Sequence, residues 1–187
     1  MYKLNKGHAI WFTGPPGSGK TTLATEIKNY IENNFDMPVI LLDGDIVREI
    51  IASDVGRKVT DRFTSLIKYV QLSNLLIESS ILVLVAVINH SEEQRKYTRQ
   101  NHPKDQFSEI RVNTPISVCH ERDPKGHYGR AKFSTKAANL VGWDIEYEEP
   151  KHSDIVVSTA DPSPENVAII VATYLKEKGI LIEKEAD

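Results

Sequence analysis

The chain has 187 residues, of which 40% are hydrophobic, 26% charged and 7% aromatic, with a formal net charge of −3. That length suits one domain around one core, and the mildly acidic balance argues against nucleic acid or an anionic membrane as the main partner. The single cysteine, Cys119, excludes an internal disulfide and a cysteine metal cluster and fits a reducing cytoplasm.

The polar stretch Met1 to Gly7 does not read as a signal peptide. Ala9 to Thr13 then reads as a first strand, followed by a glycine-rich turn and a helix over about Lys20 to Asn33. Val39 to Leu42 is a short apolar run that ends in Asp43-Gly44-Asp45, and Asp61 to Ser79 carries apolar residues at helical steps. Ile81 to Ile88 is apolar without alternation, as in a strand covered on both faces. It is far shorter than the roughly 20 residues that cross a bilayer. Ser91 to Asn101 reads as a polar helix, Glu109 to Val112 and Asp154 to Ser158 as strands, and Glu165 to Lys178 as a closing helix. This alternation predicts an α/β fold, a parallel sheet with helices on both faces. Asp123 to Pro150 is long and weakly periodic, which in a compact domain reads as a functional lid.

Gly14-Pro15-Pro16-Gly17-Ser18-Gly19-Lys20-Thr21 matches G-x-x-x-x-G-K-[ST] between a strand and a helix, the context the motif requires. Gly17 and Gly19 let the main chain wrap a phosphate, and the helix opening at Lys20 adds unpaired N–H groups. With Thr22, the turn predicts a P-loop NTPase fold binding ATP, in which Lys20 reaches the terminal phosphates and Thr21 ligates Mg2+. Asp43 ends a buried strand at the edge where such sheets bind ligands, and Asp45 and Arg48 follow. One of the two aspartates either serves the metal or accepts a hydroxyl proton, or both simply cap the next helix. Asp45 is assigned as base or metal partner, and Asp43 to support it at the metal.

These residues resemble the adenylylsulfate (APS) kinase family over about Ala9 to Leu175. Ile10 to Ala24 is similar to the family's opening, and Leu42-Asp43-Gly44-Asp45-Ile46-Val47-Arg48 to its L-D-G-D-N-V-R. Asp61-Arg62 falls on its D-R pair, Arg122-Asp123-Pro124-Lys125-Gly126-His127-Tyr128 on its R-D-P-K-G-L-Y, and Glu148-Glu149-Pro150 on the end of its Y-E-x-P. The resemblance implies transfer of the ATP γ-phosphoryl group to the 3′-hydroxyl of adenylylsulfate, giving 3′-phosphoadenylylsulfate. By it, Arg48, Arg62 and Lys125 contact the acceptor, Asp45 lies beside its hydroxyl, and the protein forms a homodimer.

The chain also departs from that family. Gly56-Arg57-Lys58 stands at G-F-S and Leu140-Val141-Gly142-Trp143-Asp144 at F-T-G-I-D, so two aromatic faces toward the acceptor base are replaced. Each is worth on the order of 1–3 kcal/mol of stacking, and Trp143 offers a substitute face. Thr64-Ser65-Leu66-Ile67-Lys68 replaces E-N-I-R-R, and Asn89-His90-Ser91-Glu92 replaces S-P-Y-R. Glu92 is expected to repel an anionic acceptor. The expectation is a kinase acting on adenylylsulfate or on another activated nucleotide, such as a pyrimidine intermediate of polysaccharide modification. A regulatory GTPase or motor ATPase is disfavoured because neither N-K-x-D nor a switch segment is found; a non-catalytic nucleotide-binding module is the remaining rival. Of the six histidines, His8, His102 and His152 read as surface residues, while His90 and His127 lie near the site without a role. Cys119 reads as a packed core thiol.

Overall fold

A strand with apolar residues at every position must bury both faces. In β2 (His8–Thr13) this is literal: all six residues are buried. Ile10 and Phe12 enter one apolar cluster, and Ala9 and Trp11 enter another on the opposite face. The computed structural model describes residues 2–51, 56, 59–134, 138–159 and 163–183.

The chain opens with β1 (Tyr2–Leu4), then β2, α1 (Lys20–Phe35), β3 (Val39–Asp43), α2 (Gly44–Ile51), α3 (Val59–Glu78) and β4 (Leu82–Ala86). It continues with α4 (Glu92–Gln100), β5 (Phe107–Val112), α5 (Ile116–Arg122), α6 (His127–Lys132), β6 (Ile155–Val157), α7 (Pro164–Glu177) and β7 (Leu181–Glu183). Five strands form a parallel sheet in the order β3-β4-β2-β5-β6, with Ile10 opposite Leu84 on one side and Ser108 on the other. Leu23, Ile27 and Ile31 of α1 and Val171 and Leu175 of α7 cover one face, while Leu66, Val70 and Ile77 of α3 cover the other. The predicted α/β architecture is therefore the observed one.

Short elements escaped the sequence reading. β1 and β7, three residues each, pair antiparallel as a separate two-stranded sheet. α6 spans six residues, too few for a clear helical period, whereas α2 is the helix that the two aspartates were expected to cap. Among the described residues, no helix is long and apolar enough to cross a membrane.

Two histidines expected at the surface are buried. His8 is 2% exposed and its Nε2 lies 2.8 Å from Ser108 Oγ. His102 sits between Ser73 Oγ and the Thr98 carbonyl, edge-on to Trp11. Both exchange water for partners distant in sequence or packed in a turn, so their identity alone did not signal burial. Burial lowers both pKa values, that of His8 to about 4. His152 is exposed, and Cys119 is fully buried, as expected.

Candidate active site

Because the five main strands are parallel, all their carboxyl ends open on one side, where α/β sheets form clefts. The connection leaving β2 passes outward to β3, whereas β5 lies on its other side. The turn 14–19 therefore sits where the strand order reverses. A cleft of about 950 Å³ occupies this edge, lined among others by the turn, by Asp43, Asp45 and Arg48, and by Arg62, His90 and Lys125.

The turn is built inside out. Gly17 and Gly19 have φ of 77° and 94°, a region open to glycine without steric cost. At Gly14 a side chain would meet the Ser18 hydroxyl at 2.7 Å and the Val112 carbonyl at 3.0 Å. Its carbonyls point to partners: Lys20 Nζ donates to the Gly14 and Pro15 carbonyls at 2.9 and 2.8 Å, and Tyr128 Oη to the Pro16 carbonyl at 3.1 Å. The Thr114 and Thr159 hydroxyls donate to the Ser18 carbonyl at 2.9 and 3.1 Å. Helix α1 starts from Gly19 with no side-chain cap and no acid in its first turn. Its first N–H groups lack intrahelical acceptors and carry the positive helix end. Burial lowers the Lys20 ammonium to about 8. An ammonium, open amides and a helix N-terminus converging on one cleft suit a polyphosphate.

Of the predicted phosphate-binding residues, Pro16, Gly17, Gly19, Lys20, Thr21 and Thr22 line the cleft. Gly14, Pro15 and Ser18 are buried behind that lining and shape the turn.

Asp43 does two jobs at once. Its Oδ1 accepts from the Asp45 and Ile46 N–H groups at 2.9 and 3.3 Å, capping α2. Its Oδ2 accepts from the Thr21 hydroxyl at 2.6 Å. The capping reading of the sequence is thus realised, and the second oxygen of the same side chain faces the phosphate turn. Hydroxyl and carboxylate side by side form a hard-oxygen pair that fits a magnesium ion completed by phosphate and water oxygens. Among the described residues, no group of three or more His, Cys, Asp or Glu forms a self-sufficient metal cage.

The other predicted site residues converge as well. Asp45 is exposed and ion-paired with Lys125. That bond raises the lysine's pKa. Arg48 donates to the Gly56 carbonyl, and Arg62 donates to the Asn139 carbonyl, joining α3 to the middle of segment 123–150. The carboxyl end of this segment is pinned: Tyr147 Oη lies 3.0 Å from Thr13 Oγ1, the Glu148 N–H donates to the His90 carbonyl, and Arg111 pairs with Glu149.

Several expectations about the acceptor side need correction. Glu92 does not line the cleft; it stands at the start of α4 and pairs with Arg95 at 3.1 Å. Repulsion of an acceptor by Glu92 is therefore not built into the site. Trp143 also lies outside the lining, half exposed, with its ring 5.7 Å from that of His120. Leu140, at the position of the family's second aromatic residue, does line it. So do Asn89, His90 and Gln94. His90 is 6% exposed, its N–H donating to Gln94 Oε1 at 3.0 Å, and burial followed by the Arg62 charge lowers its pKa. Arg57 and Lys58 lie outside the described residues.

The sequence reading gave no role to Thr114, Arg122, Tyr128 or Thr159. Arg122 donates to Thr159 Oγ1 at 2.8 Å and lines the cleft beside the phosphate turn. Only the fold brings Thr114, Arg122 and Thr159 together, though Arg122 and Tyr128 stood inside a recognised motif.

The sequence profile of the Adenylylsulphate kinase family matches residues 6–158. The chain belongs to the adenylylsulphate kinase family. An adenylyl-sulfate kinase of Vibrio vulnificus (strain YJ016) is 34% identical over 180 residues, 96% of this chain and 86% of that protein. One from Shewanella baltica (strain OS155 / ATCC BAA-1091) is 38% identical over 152 residues, 81% of this chain and 73% of that protein. The solved structure of the Mycobacterium tuberculosis APS kinase CysC in complex with AMPPNP and APS superposes with a TM-score of 0.84 at 32% identity. That alignment covers 91% of this chain and 98% of that one. This adenylylsulphate kinase family member is a phosphotransferase with the P-loop NTPase fold.

Proposed function

We propose that the chain transfers the γ-phosphoryl group of ATP to the 3′-hydroxyl of adenylylsulfate, giving 3′-phosphoadenylylsulfate. The observation that carries this reading is the shared cleft: the Lys20 ammonium and the Thr21–Asp43 pair open into the same cavity as Asp45, Arg48, Arg62 and Lys125. Donor and acceptor sides thus meet across one volume of about 950 Å³. The bound AMPPNP and APS in the Mycobacterium tuberculosis relative support the same pair of ligands here.

The donor phosphates lie against the turn Gly14 to Thr22. Lys20 releases the Gly14 and Pro15 carbonyls and neutralises charge on the transferring group. Thr21 and Asp43 would hold Mg2+, which would supply charge neutralisation on the phosphate oxygens. Asp45 leaves Lys125 and orients or deprotonates the acceptor hydroxyl, while Arg48, Arg62 and Lys125 fix the acceptor's anionic groups. Transfer is in-line and direct, without a covalent enzyme intermediate, because positioning and electrostatics account for the catalysis. Segment 123–150 acts as a lid that excludes water from the bound donor.

A second reading, an acceptor other than adenylylsulfate, is favoured by Leu140 and His90 in the cleft lining. An ATP-consumption assay with adenylylsulfate and a panel of activated pyrimidine nucleotides decides between them. Turnover with adenylylsulfate supports the first reading, and turnover with a pyrimidine nucleotide alone supports the second. Binding without turnover on any acceptor refutes both in favour of a non-catalytic module.

A further inference from the structure

A phosphate-binding turn works only if its N–H groups face the anion and its carbonyls face elsewhere, since a carbonyl dipole aimed at phosphate is repulsive. Pro16 sharpens this requirement: it has no N–H, so the carbonyl is its only polar main-chain group. The partner of that carbonyl is Tyr128 Oη at 3.1 Å. Among the described residues, this is the side-chain hydrogen bond that ties segment 123–150 to the turn 14–21.

Tyr128 is held rigidly for the task. It is 4% exposed, and its N–H donates to Asp123 Oδ1 at 3.1 Å. Its ring lies 4.1 Å from the His120 ring, and His120 Nε2 lies 3.0 Å from the Gly142 carbonyl. Gly142 has φ of 82°, and a Cβ there would fall 2.6 Å from Ile116 Cδ1 and 3.0 Å from Tyr128 Oη. Helices α5 and α6 and the turn at Val141–Trp143 therefore form one packed unit, and a single hydroxyl projects from it onto the phosphate turn.

We propose that Tyr128 is a positioning residue for the donor nucleotide: its hydroxyl holds the Pro16 carbonyl away from the phosphates and couples the turn to segment 123–150. The inference rests on the kinase reading above and adds to it a residue that acts through the Pro16 carbonyl of the phosphate turn. Tyr128→Phe keeps the ring stack and removes the hydroxyl, and with it the longer contact to the Val141 carbonyl at 3.4 Å. The expected result is a five- to tenfold rise in the Kd for AMPPNP, the size of one net hydrogen bond, and an equal rise in KM for ATP. The acceptor KM at saturating ATP should stay within twofold. A Kd unchanged within twofold, or ATP and acceptor KM values rising by the same factor, overturns the proposal. In wild-type protein, amide hydrogen exchange over residues 123–134 should slow when AMPPNP binds; exchange that is indifferent to AMPPNP also overturns it, whether or not the variant folds. Failure of the wild type to bind AMPPNP at all would refute the donor reading and this proposal together.

Discussion

Asp43 provides the sharpest test of the site because its two oxygens serve different ends. Oδ1 caps α2 through two main-chain N–H groups, and Oδ2 accepts from the Thr21 hydroxyl at 2.6 Å. Asn at position 43 keeps an oxygen for the cap but replaces the other with an amide nitrogen, which cannot ligate magnesium and turns a donor toward Thr21. Ala removes both functions. Loss of a helix cap costs about 1 kcal/mol, and leaving the Thr21 hydroxyl unpaired adds about 1 more in this part-buried position. Asp43→Ala should therefore lose about 2 kcal/mol, a fall in Tm of about 4–8 °C for a domain of this size. Asp43→Asn should lose less than half of that. In turnover the two should converge: removing a group that stabilises transition-state charge costs on the order of 10²- to 10³-fold. Thermal unfolding and steady-state kcat on both variants, at saturating ATP and Mg2+, separate the roles. If Asp43→Asn keeps more than about a third of wild-type kcat, Oδ2 holds no catalytic metal and the assignment fails, with Asp45 left as the carboxylate that must carry it.

Three further outcomes follow from groups buried at or away from the site. Burial lowers Lys20 to about 8 without ligand, and a bound triphosphate favours its charged form. ATP affinity, measured by titration calorimetry, should then fall by up to about tenfold per pH unit above pH 8; a flat profile to pH 9.5 contradicts a phosphate contact by Lys20. His90→Ala should raise the acceptor KM while leaving that for ATP unchanged, since His90 lines the cleft beside Arg62; equal effects on both substrates would refute an acceptor-side position. His8 ionises near 4 in the folded chain, against an ordinary value of 6.5. A histidine with a lowered folded pKa contributes its full stability above 6.5 and loses it as pH falls toward 4. Urea unfolding should accordingly lose about 2 kcal/mol between pH 7 and pH 5, and His8→Asn should remove most of that slope.

What the sequence by itself determined was the part of the site carried by contiguous residues. Gly14 to Thr21 is legible as a phosphate-binding turn, because glycines at positions 17 and 19 permit the positive φ that the turn demands and the next residue opens a helix. Asp43 was placed at a strand end by the apolar run before it, and the sheet's order of layers by runs without alternation. Those are local signals, readable wherever two or three neighbours suffice to define them.

Tertiary structure alone decided which distant groups would answer each other. Along the chain Asp43 could cap a helix or serve the site; folding caps α2 with one of its oxygens and brings the Thr21 hydroxyl to the other. Glu92 and Trp143 looked like cleft residues by motif position, yet Arg95 and His120 claim them elsewhere. His8 looked like a surface residue until Ser108, one hundred positions away, replaced its water. The physical reason is common to all of them. Burial, and the choice among several hydrogen-bond partners, depend on which side chains compete for the same space, and that competition exists only once the sheet has assembled.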